Sequence, residues 1–388
     1  MEKRYVVIIG GKLQGVEALY LAEKAGLETI LVDKNPFPIG QKFCNRFICQ
    51  DVIDYTRDLL SLFQNAAFVL PALEDQETLR TLKSLSEVHG FTLIYDDDAY
   101  RISSSKLHSD QAMAQYQVPV PLYYPKGTFP YVAKPSGGSC SQGVQRINDA
   151  ASMAVFLKSH SRDQWVIQEF LEGPSYSIEI IGTPGHYDTY HITELFMDEE
   201  YDCKRVLSRP DLKKSLKNRF QTIALQLGKM VQLKGIMDVE VIDHGGELKV
   251  LEIDARIPSQ TPITVYHATG INMMMELYRK FYDPSILVKP LAKERYVSLE
   301  QVEVNGNNIK VSGEHIMTQS EPLSSQEGFC GADEALTDYE PGVHCWRATL
   351  IHCADSAAAL EKKRAQTFDA ICALQGGNTN VIDLEPVS

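Results

Sequence analysis

The chain has 388 residues and is acidic, with a formal net charge of -13 and a sequence pI near 5.3. Its composition, 44% hydrophobic and 23% charged residues, is that of an ordinary globular protein with two or three domains. The negative charge argues against nucleic acid as a partner, because a phosphate-binding surface needs basic residues. We find no apolar run of membrane-spanning length and no signal peptide, and we therefore expect a cytoplasmic protein without a membrane partner.

Residues 1–97 alternate short apolar runs with segments of helical spacing, which predicts a small parallel α/β domain. The predicted strands are Val6–Ile9, Thr29–Val32, Phe68–Leu70 and Thr92–Tyr95. A central domain is predicted over 98–181. A last domain is predicted over 182–388, with an extension from about 290. One helix is predicted to begin near Ser105, and three further helices are predicted over 150–159, 211–231 and 357–374.

The loop after the first strand carries Gly10, Gly11 and Gly15, and Asp33 closes the second strand. This layout is that of a dinucleotide-binding fold, but the glycine gaps of one and four differ from the two and three of that fingerprint. We favour a nest of backbone N–H groups that binds a substrate anion, with tight-turn geometry alone as the alternative. Residues 12–14 are the candidate substrate-binding residues of this loop: Lys12, Leu13 and Gln14.

Two acidic clusters lie in predicted neighbouring strands, 237–242 and 248–253, joined by a Gly-rich turn. Alternation places Asp238 and Glu240 on one face of the first strand, and Glu252 and Asp254 on one face of the second. Crowded carboxylates stay ionised when a cation lies between them, and Mg²⁺ with substrate phosphates is the usual solution. Their apolar neighbours predict central strands, whereas a solvated acidic hairpin is the alternative.

A Gly/Ser loop follows the predicted strand that ends in Lys134. Small residues let the backbone approach phosphates closely, and the lysine adds a positive charge. The candidate ATP-binding residues in this loop are Ser136, Gly137, Gly138, Ser139 and Ser141. A second predicted strand leads into Glu169, Leu171 and Glu172, and we predict that these residues contact the adenine or the ribose.

Eight cysteines are scattered without C-x-x-C spacing, so neither a disulfide framework nor a zinc ribbon is predicted. The dipeptides at 344–345 and 352–353 repeat His-Cys, a possible pair of metal ligands. We favour a β-strand with buried thiols and incidental histidines.

The ordered set of parts resembles the ATP-grasp carboxylate–amine ligases. The set comprises Lys106, Lys134, the Gly/Ser loop, the Gln-Glu-x-Leu-Glu-Gly segment at 168–173 and Glu-x-Asp-x-Arg at 252–256. The resemblance implies an ATP-grasp fold, α/β in class, in which two α+β domains after the parallel N-terminal domain enclose the nucleotide. It implies ATP and Mg²⁺ as cofactors, with Lys106 and Lys134 on phosphates. The metal ligands that it implies are Glu252, Asp254 and one upstream acid, for which Asp238 and Glu240 compete and we favour Glu240. Asp254 stands in place of the more common Asn.

Six segments are similar to the ligase family of pyrrolysine biosynthesis: 10–15, 32–36, 99–103, 201–203, 234–240 and 252–262. That family joins the carboxylate of (3R)-3-methyl-D-ornithine to the ε-amine of L-lysine through an acyl phosphate. The resemblance assigns catalysis to Arg256, with Asp238 and Glu179 as candidate bases. The further candidate substrate-binding residues are Ser177, Glu179, Tyr201, Asp202, Ser259 and Gln260.

Three alternatives stay open at this point: an ATP-grasp ligase for another amino-acid pair, an NAD-dependent dehydrogenase that uses the first domain, and a nucleotide-binding regulator. The expected partners are diamino acids and ATP, and a homodimer is possible.

Overall fold

The computed structural model describes residues 4–137, 143–161, 164–375 and 380–382. The chain begins with a four-stranded parallel sheet in the order β3-β2-β1-β4. Its strands are β1 (Val6–Ile9), β2 (Thr29–Asp33), β3 (Arg46–Cys49) and β4 (Phe68–Pro71). The helices that cover it are α1 (Leu13–Lys24), α2 (Arg57–Asn65) and α3 (Gln76–His89). The predicted parallel α/β layer is therefore confirmed.

Two details of that prediction are wrong. The segment 92–95 forms only an isolated bridge between Leu93 and Val69, because Asp96 caps the next helix and ends the extended stretch. The strand that completes the sheet is instead β3, which pairs with β2. It is not an apolar run, because its exposed ends are Arg46 and Cys49, and so the sequence did not predict it.

Two helices lead to a small antiparallel sheet in the order β6-β5-β7. The helices are α4 (Asp97–Ser103) and α5 (Lys106–Gln115), and the strands are β5 (Tyr131–Pro135), β6 (Gln145–Ile147) and β7 (Trp165–Glu169). The helix α6 (Ala150–Ser159) packs on this sheet through Met153 and Phe156. Ser105 caps α5 by accepting a hydrogen bond from the His108 N–H, as the run of serines predicted.

The rest of the chain builds an eleven-stranded sheet. Its strands are β8 (Ser175–Thr183), β9 (His186–Met197), β10 (Cys203–Ser208), β11 (Gly235–His244), β12 (Glu247–Asp254), β13 (Tyr296–Asn305), β14 (Asn308–Ser312), β15 (Ser324–Glu327), β16 (Glu334–Thr337), β17 (Cys345–Ala354) and β18 (Asn380–Ile382). The accompanying helices are α7 (Lys214–Met230), α8 (Thr261–Thr269), α9 (Met273–Phe281) and α10 (Ala357–Leu374).

The main path of the large sheet runs β12-β11-β8-β9-β10-β13-β17-β16-β15. The extension from about 290 thus continues the same sheet, since β13 pairs with β10. The predicted domain limits at 97, 181 and about 290 stay predictions, and β8, at the second limit, pairs with β9 and β11.

The prediction that both strands of the acidic hairpin are central is wrong for β12, which lies at the edge of the large sheet. Its outer side is covered by α4 and α5. The Val250 N–H donates a hydrogen bond to the Pro119 carbonyl. Its apolar side chains Leu248, Val250 and Ile253 are buried, although one side of the strand has no strand neighbour.

Within the described ranges, none of the helices combines the length and the apolar character needed to cross a bilayer.

Candidate active site

The hairpin of β11 and β12 brings four carboxylates together. Asp238 lies opposite Asp254 and Glu240 lies opposite Glu252, which confirms the predicted pairing. The turn uses Gly245 and Gly246, both at positive φ, as a tight hairpin requires. On the other side, β8 places Glu179 opposite Asp238 and Ser177 opposite Glu240.

Burial and mutual repulsion raise the pKa of three of these acids, Asp238, Glu240 and Asp254. Burial, followed by the charge of Glu252, raises the pKa of Glu240 to about 7. Burial also raises the pKa of Asp254 to about 6, although Arg256 opposes the shift. The pKa of Asp238 is raised well above its usual range by burial and by Asp254. A divalent cation would supply the positive charge that keeps such a set ionised, and carboxylates are ligands that Mg²⁺ prefers.

Three cationic side chains surround the carboxylates. The Lys106 Nζ lies 2.9 Å from Glu252 Oε1. Arg256 Nη2 lies 2.7 Å from Asp254 Oδ2 and 2.9 Å from an oxygen of Glu74. Burial lowers the pKa of Lys134, and the negative charge of Glu252 opposes that shift. The site therefore alternates positive and negative charge, as a site for a metal and phosphates needs.

A cavity of about 620 Å³ lies between the three-stranded sheet and the large sheet. Apolar side chains from three strands, Val132, Leu251 and Met197, contribute to its wall, and such a wall suits a planar base. The predicted ATP-binding residues that line it are Lys106, Lys134, Gly137, Glu169, Leu171 and Glu172. The structure thus brings the two lysines and the 169–172 segment to one cavity beside Glu240 and Glu252.

Some predicted ATP-binding residues have other contacts. The Ser136 hydroxyl accepts a hydrogen bond from the Leu107 N–H and lies 3.2 Å from the Ser105 hydroxyl, so it fixes the start of α5. The Glu169 carboxylate accepts a hydrogen bond from the Leu122 N–H at 2.9 Å. Three predicted residues lie outside the described residues: Gly138, Ser139 and Ser141.

A second cavity, of about 400 Å³, lies against the parallel sheet. The predicted residues Lys12, Leu13 and Gln14 line it. The predicted nest of N–H groups is partly wrong, because two of these donors are already bonded within the fold. Gly10 N–H donates to the Val32 carbonyl, and Gly11 N–H donates to Asp33 Oδ2 at 2.7 Å.

A central cavity of about 150 Å³ joins the other two. It shares Glu240, Glu252 and Tyr201 with the nucleotide cavity, and Arg256, Ser259 and Glu314 with the second cavity. The predicted residues that line it are Asp238, Glu240, Glu252, Asp254, Arg256, Tyr201, Asp202, Ser259 and Gln260. The three cavities therefore form a row with the carboxylates in the middle.

Similar proteins agree with this arrangement. Residues 103–260 match the ATP-grasp domain family. The chain is 36% identical to the 3-methyl-D-ornithine--L-lysine ligase of Methanosarcina acetivorans and 33% identical to that of Methanosarcina barkeri, over 87% of each chain in both cases. This chain belongs to that ligase family.

The solved structures confirm the ATP-grasp fold. N5-carboxyaminoimidazole ribonucleotide synthetase from Thermus thermophilus matches with a TM-score of 0.70 at 14% identity, over 98% of this chain and 100% of that chain. An ATP-dependent carboxylate–amine ligase is therefore the enzyme class, and the dehydrogenase alternative loses its support.

Two predicted substrate-binding residues of the ligase lie beneath the cavities. Ser177 and Glu179 are fully buried, and neither is among the described residues that line the three cavities. Burial raises the pKa of Glu179 to about 7, although hydrogen bonding to Thr261 opposes the shift.

Two glutamates that the sequence did not single out position this site. Glu74 accepts a hydrogen bond from Gln14 and forms an ion pair with Arg256, whose guanidinium lines two cavities. Glu17 of α1 accepts the N–H groups of Gln260 and Ile263 at 3.0 and 2.6 Å. This clamp stabilises the turn in which Gln260 takes a positive φ of 68°. Glu17 occupies a position of α1 where the helical spacing is otherwise apolar, and this could have indicated a buried polar contact.

A third glutamate missed by the sequence is Glu314, which begins a 3-10 helix (Glu314–Gln319) in the extension. It lines both the central and the second cavity. No nearby motif marks it, because it reaches the ligase site from sixty residues beyond Asp254 in the sequence.

The predicted residue Asp202 has a structural contact. Its Oδ2 accepts hydrogen bonds from the backbone and the ring of His315, and Asp198 accepts the N–H groups of Asp202 and Gly313. Asp198, Asp202 and His315 are grouped closely enough to hold a metal, but these carboxylates already bind N–H donors. We therefore interpret the group as a set of structural hydrogen bonds that connects the β9–β10 turn to the extension.

The two His-Cys dipeptides do not meet. His344 and Cys345 lie at the start of β17, whereas His352 and Cys353 lie near its end. His352 is fully buried and its ring contacts the Thr367 hydroxyl, as expected for an incidental histidine.

Proposed function

We propose that the enzyme joins the carboxylate of (3R)-3-methyl-D-ornithine to the ε-amine of L-lysine, in pyrrolysine biosynthesis. The observation that carries the proposal is the row of three cavities, in which the carboxylates and Arg256 separate a nucleotide cavity from a second cavity. The names of the relatives support the choice of substrates.

The reaction needs activation of the carboxylate, because hydroxide is a poor leaving group for an amine to displace. In our proposal the carboxylate attacks the γ-phosphoryl group of ATP, which forms an acyl phosphate and releases ADP. The ε-amine then attacks the acyl carbon, forms the amide bond and releases phosphate. The central cavity is the only one of the three that borders both others, which suits it to the carboxylate.

Glu240, Glu252 and Asp254 would hold Mg²⁺. The ion supplies positive charge to the transferring phosphoryl group when it is bound. The residues fit this role because they lie on adjacent strands and because burial and neighbouring carboxylates raise the pKa values of Glu240 and Asp254. Lys106 and Lys134 would bind phosphate oxygens, and Glu169, Leu171 and Glu172 would lie beside the adenine and ribose.

The phosphate loop completes the nucleotide site in this proposal. Gly137 lines the cavity, and Ser136 holds the start of α5. Gly138, Ser139 and Ser141 are assigned to phosphate binding from the sequence alone.

The amino-acid substrates would occupy the central and second cavities. Arg256 would bind the reacting carboxylate and stabilise the tetrahedral intermediate. Asp238 or Glu179 would take a proton from the incoming amine, which is mostly charged at pH 7. Lys12 and Gln14 would bind the carboxylate of L-lysine, with Leu13 beside them. The other assigned substrate contacts are Ser177, Tyr201, Asp202, Ser259 and Gln260. A cytoplasmic location and a homodimer stay predictions.

The test is phosphate release from Mg-ATP with L-lysine and 3-methyl-D-ornithine together and each alone, with mass spectrometry of the product. We expect full turnover only with both amino acids and a product with one isopeptide bond. D-Ornithine and L-ornithine are the matched pair for the stereochemistry, because they differ from each other only in configuration. Phosphate release that neither amino acid stimulates would contradict the substrate assignment and leave the ATP-grasp fold untouched.

A further inference from the structure

The carboxylate of Glu314 lies where the central and second cavities meet. Its Oε1 accepts a hydrogen bond from the Ser259 hydroxyl at 3.0 Å. Its Oε2 is buried and has no hydrogen-bond partner within the described ranges of the chain. A buried carboxylate oxygen without a hydrogen-bond partner raises the free energy of the folded state, and a ligand that donates a hydrogen bond would remove this penalty.

The other acids of the second cavity already have partners. Asp33 accepts the N–H groups of Gly11 and Asn35. Asp75 caps α3 through the Thr78 N–H. The remaining two acids also have donors: Asp51 binds the Ile53 N–H and Glu74 binds Gln14 and Arg256. Of the described carboxylates that line this cavity, Glu314 alone has a buried oxygen without a partner.

The surroundings of Glu314 favour a cationic ligand. Burial raises the pKa of the Glu314 carboxyl, although hydrogen bonding to Ser259 and Gln260 and the charge of Arg256 oppose the shift. An ammonium group would supply both the missing donor and the missing positive charge. Lys12 lines the same cavity, so a ligand that has both a carboxylate and an ammonium group fits the mixed charge of its wall.

Neighbouring backbone holds Glu314 in place. Asp198 accepts the Gly313 N–H at 2.9 Å, and Asp202 accepts the His315 N–H at 3.1 Å. A side chain added at Gly313 would lie 2.0 Å from the Asp202 carboxylate, so the contact is close. The β9–β10 turn thus fixes the residues on both sides of Glu314.

We propose that Glu314 binds the ε-ammonium of the lysine substrate and directs that amine from the second cavity toward the acyl carbon. The inference rests on the proposed function and adds a specificity residue to it. It also gives the C-terminal extension a role, because the residue that selects the acceptor comes from outside the 103–260 domain.

Glu314→Gln tests the assignment, because glutamine keeps an acceptor for Ser259 and removes the charge. The enzyme is assayed with Mg-ATP, 3-methyl-D-ornithine and either L-lysine or hydroxylamine, a nucleophile that is uncharged at pH 7. We expect KM for L-lysine to rise about ten- to hundredfold, with hydroxamate formation and KM for ATP changed less than about twofold. Glu314→Asp should recover part of the affinity for lysine.

Glu321→Gln is the matched control, since it removes an exposed charge from the same extension. An unchanged KM for lysine in Glu314→Gln would overturn the proposal. An equal loss with hydroxylamine would overturn it too, because Glu314 would then act in carboxylate activation. If the wild-type enzyme forms no hydroxamate from 3-methyl-D-ornithine, the proposed function itself is wrong and the inference fails with it.

Discussion

Glu240 in the active site is buried among other acids, and burial raises its pKa to about 7. Glu300 in the extension is also buried, and burial alone would raise its pKa, but hydrogen bonds from Arg364 lower the net value. Arg364 donates to both oxygens of Glu300 at 2.7 Å, and both residues are almost fully buried. Glu240 has no ion pair among the described residues.

The difference separates a carboxylate that stabilises the fold from one that is suited to bind a ligand. The bidentate pair attaches α10 to β13 and leaves both oxygens of Glu300 without room for a further cation. Glu252 and Asp254 are paired with Lys106 and Arg256, but Glu240 lacks such a partner. The folded chain therefore retains electrostatic repulsion between Glu240 and Glu252 that a bound cation would relieve.

Breaking the pair in the extension is expected to have the largest effect. Arg364→Met leaves Glu300 buried without its partner and should lower the free energy of unfolding by about 3–5 kcal/mol. Urea unfolding followed by circular dichroism measures the loss. The double variant with Glu300→Leu should recover most of it, and a double variant as unstable as Arg364→Met would contradict the electrostatic explanation.

Glu240→Gln is expected to reduce turnover without lowering the stability of the fold. It should reduce kcat by about a hundred- to thousandfold, the size of effect seen when one preorganised electrostatic contact is removed from an active site. The free energy of unfolding without ligands should stay the same or rise, because a repelled charge is removed. Steady-state kinetics and urea unfolding of the same preparation measure both. A variant that keeps its turnover would disprove the metal assignment of Glu240.

The smallest expected effect is on the pH dependence of the free energy of unfolding, to which Glu240 and Glu300 should contribute with opposite sign. The folded-state pKa of Glu240 lies above its ordinary value of 4.5, so the native state holds more protons between those values and loses stability as pH rises toward 7. Glu240→Gln should lack this loss, so its advantage over wild type should grow from about pH 5 to 7. Glu300, with a lowered pKa, should contribute stability that is lost as pH falls below its ordinary range. Parallel slopes for wild type and Glu240→Gln would refute the first expectation.

The sequence predicted the parts of the site that depend on local pattern. Alternation along 237–242 and 248–253 was sufficient to bring Asp238, Glu240, Glu252 and Asp254 together, because strand side chains repeat every two residues. The run of serines before Lys106 similarly predicted the start of α5.

What the sequence did not predict depends on contacts between distant segments. The edge position of β12 depends on which strands pair, and its covering by α4 and α5 makes its composition that of an inner strand. Glu314, at the start of a 3-10 helix, and Glu74, in a loop, reach the site from segments that carry no motif. The occupied N–H of Gly11 depends on Asp33, 22 residues later in the chain.

The Glu17 clamp limits how the enzyme can be recombined with its relatives. It joins the first helix of the chain to the turn at 260–263, more than 240 residues later. The second cavity takes its walls from both of these regions and from the extension. A chimera that transplants the first domain alone would therefore separate Glu17 from its partners, so a change of acceptor by domain exchange must move all three segments together.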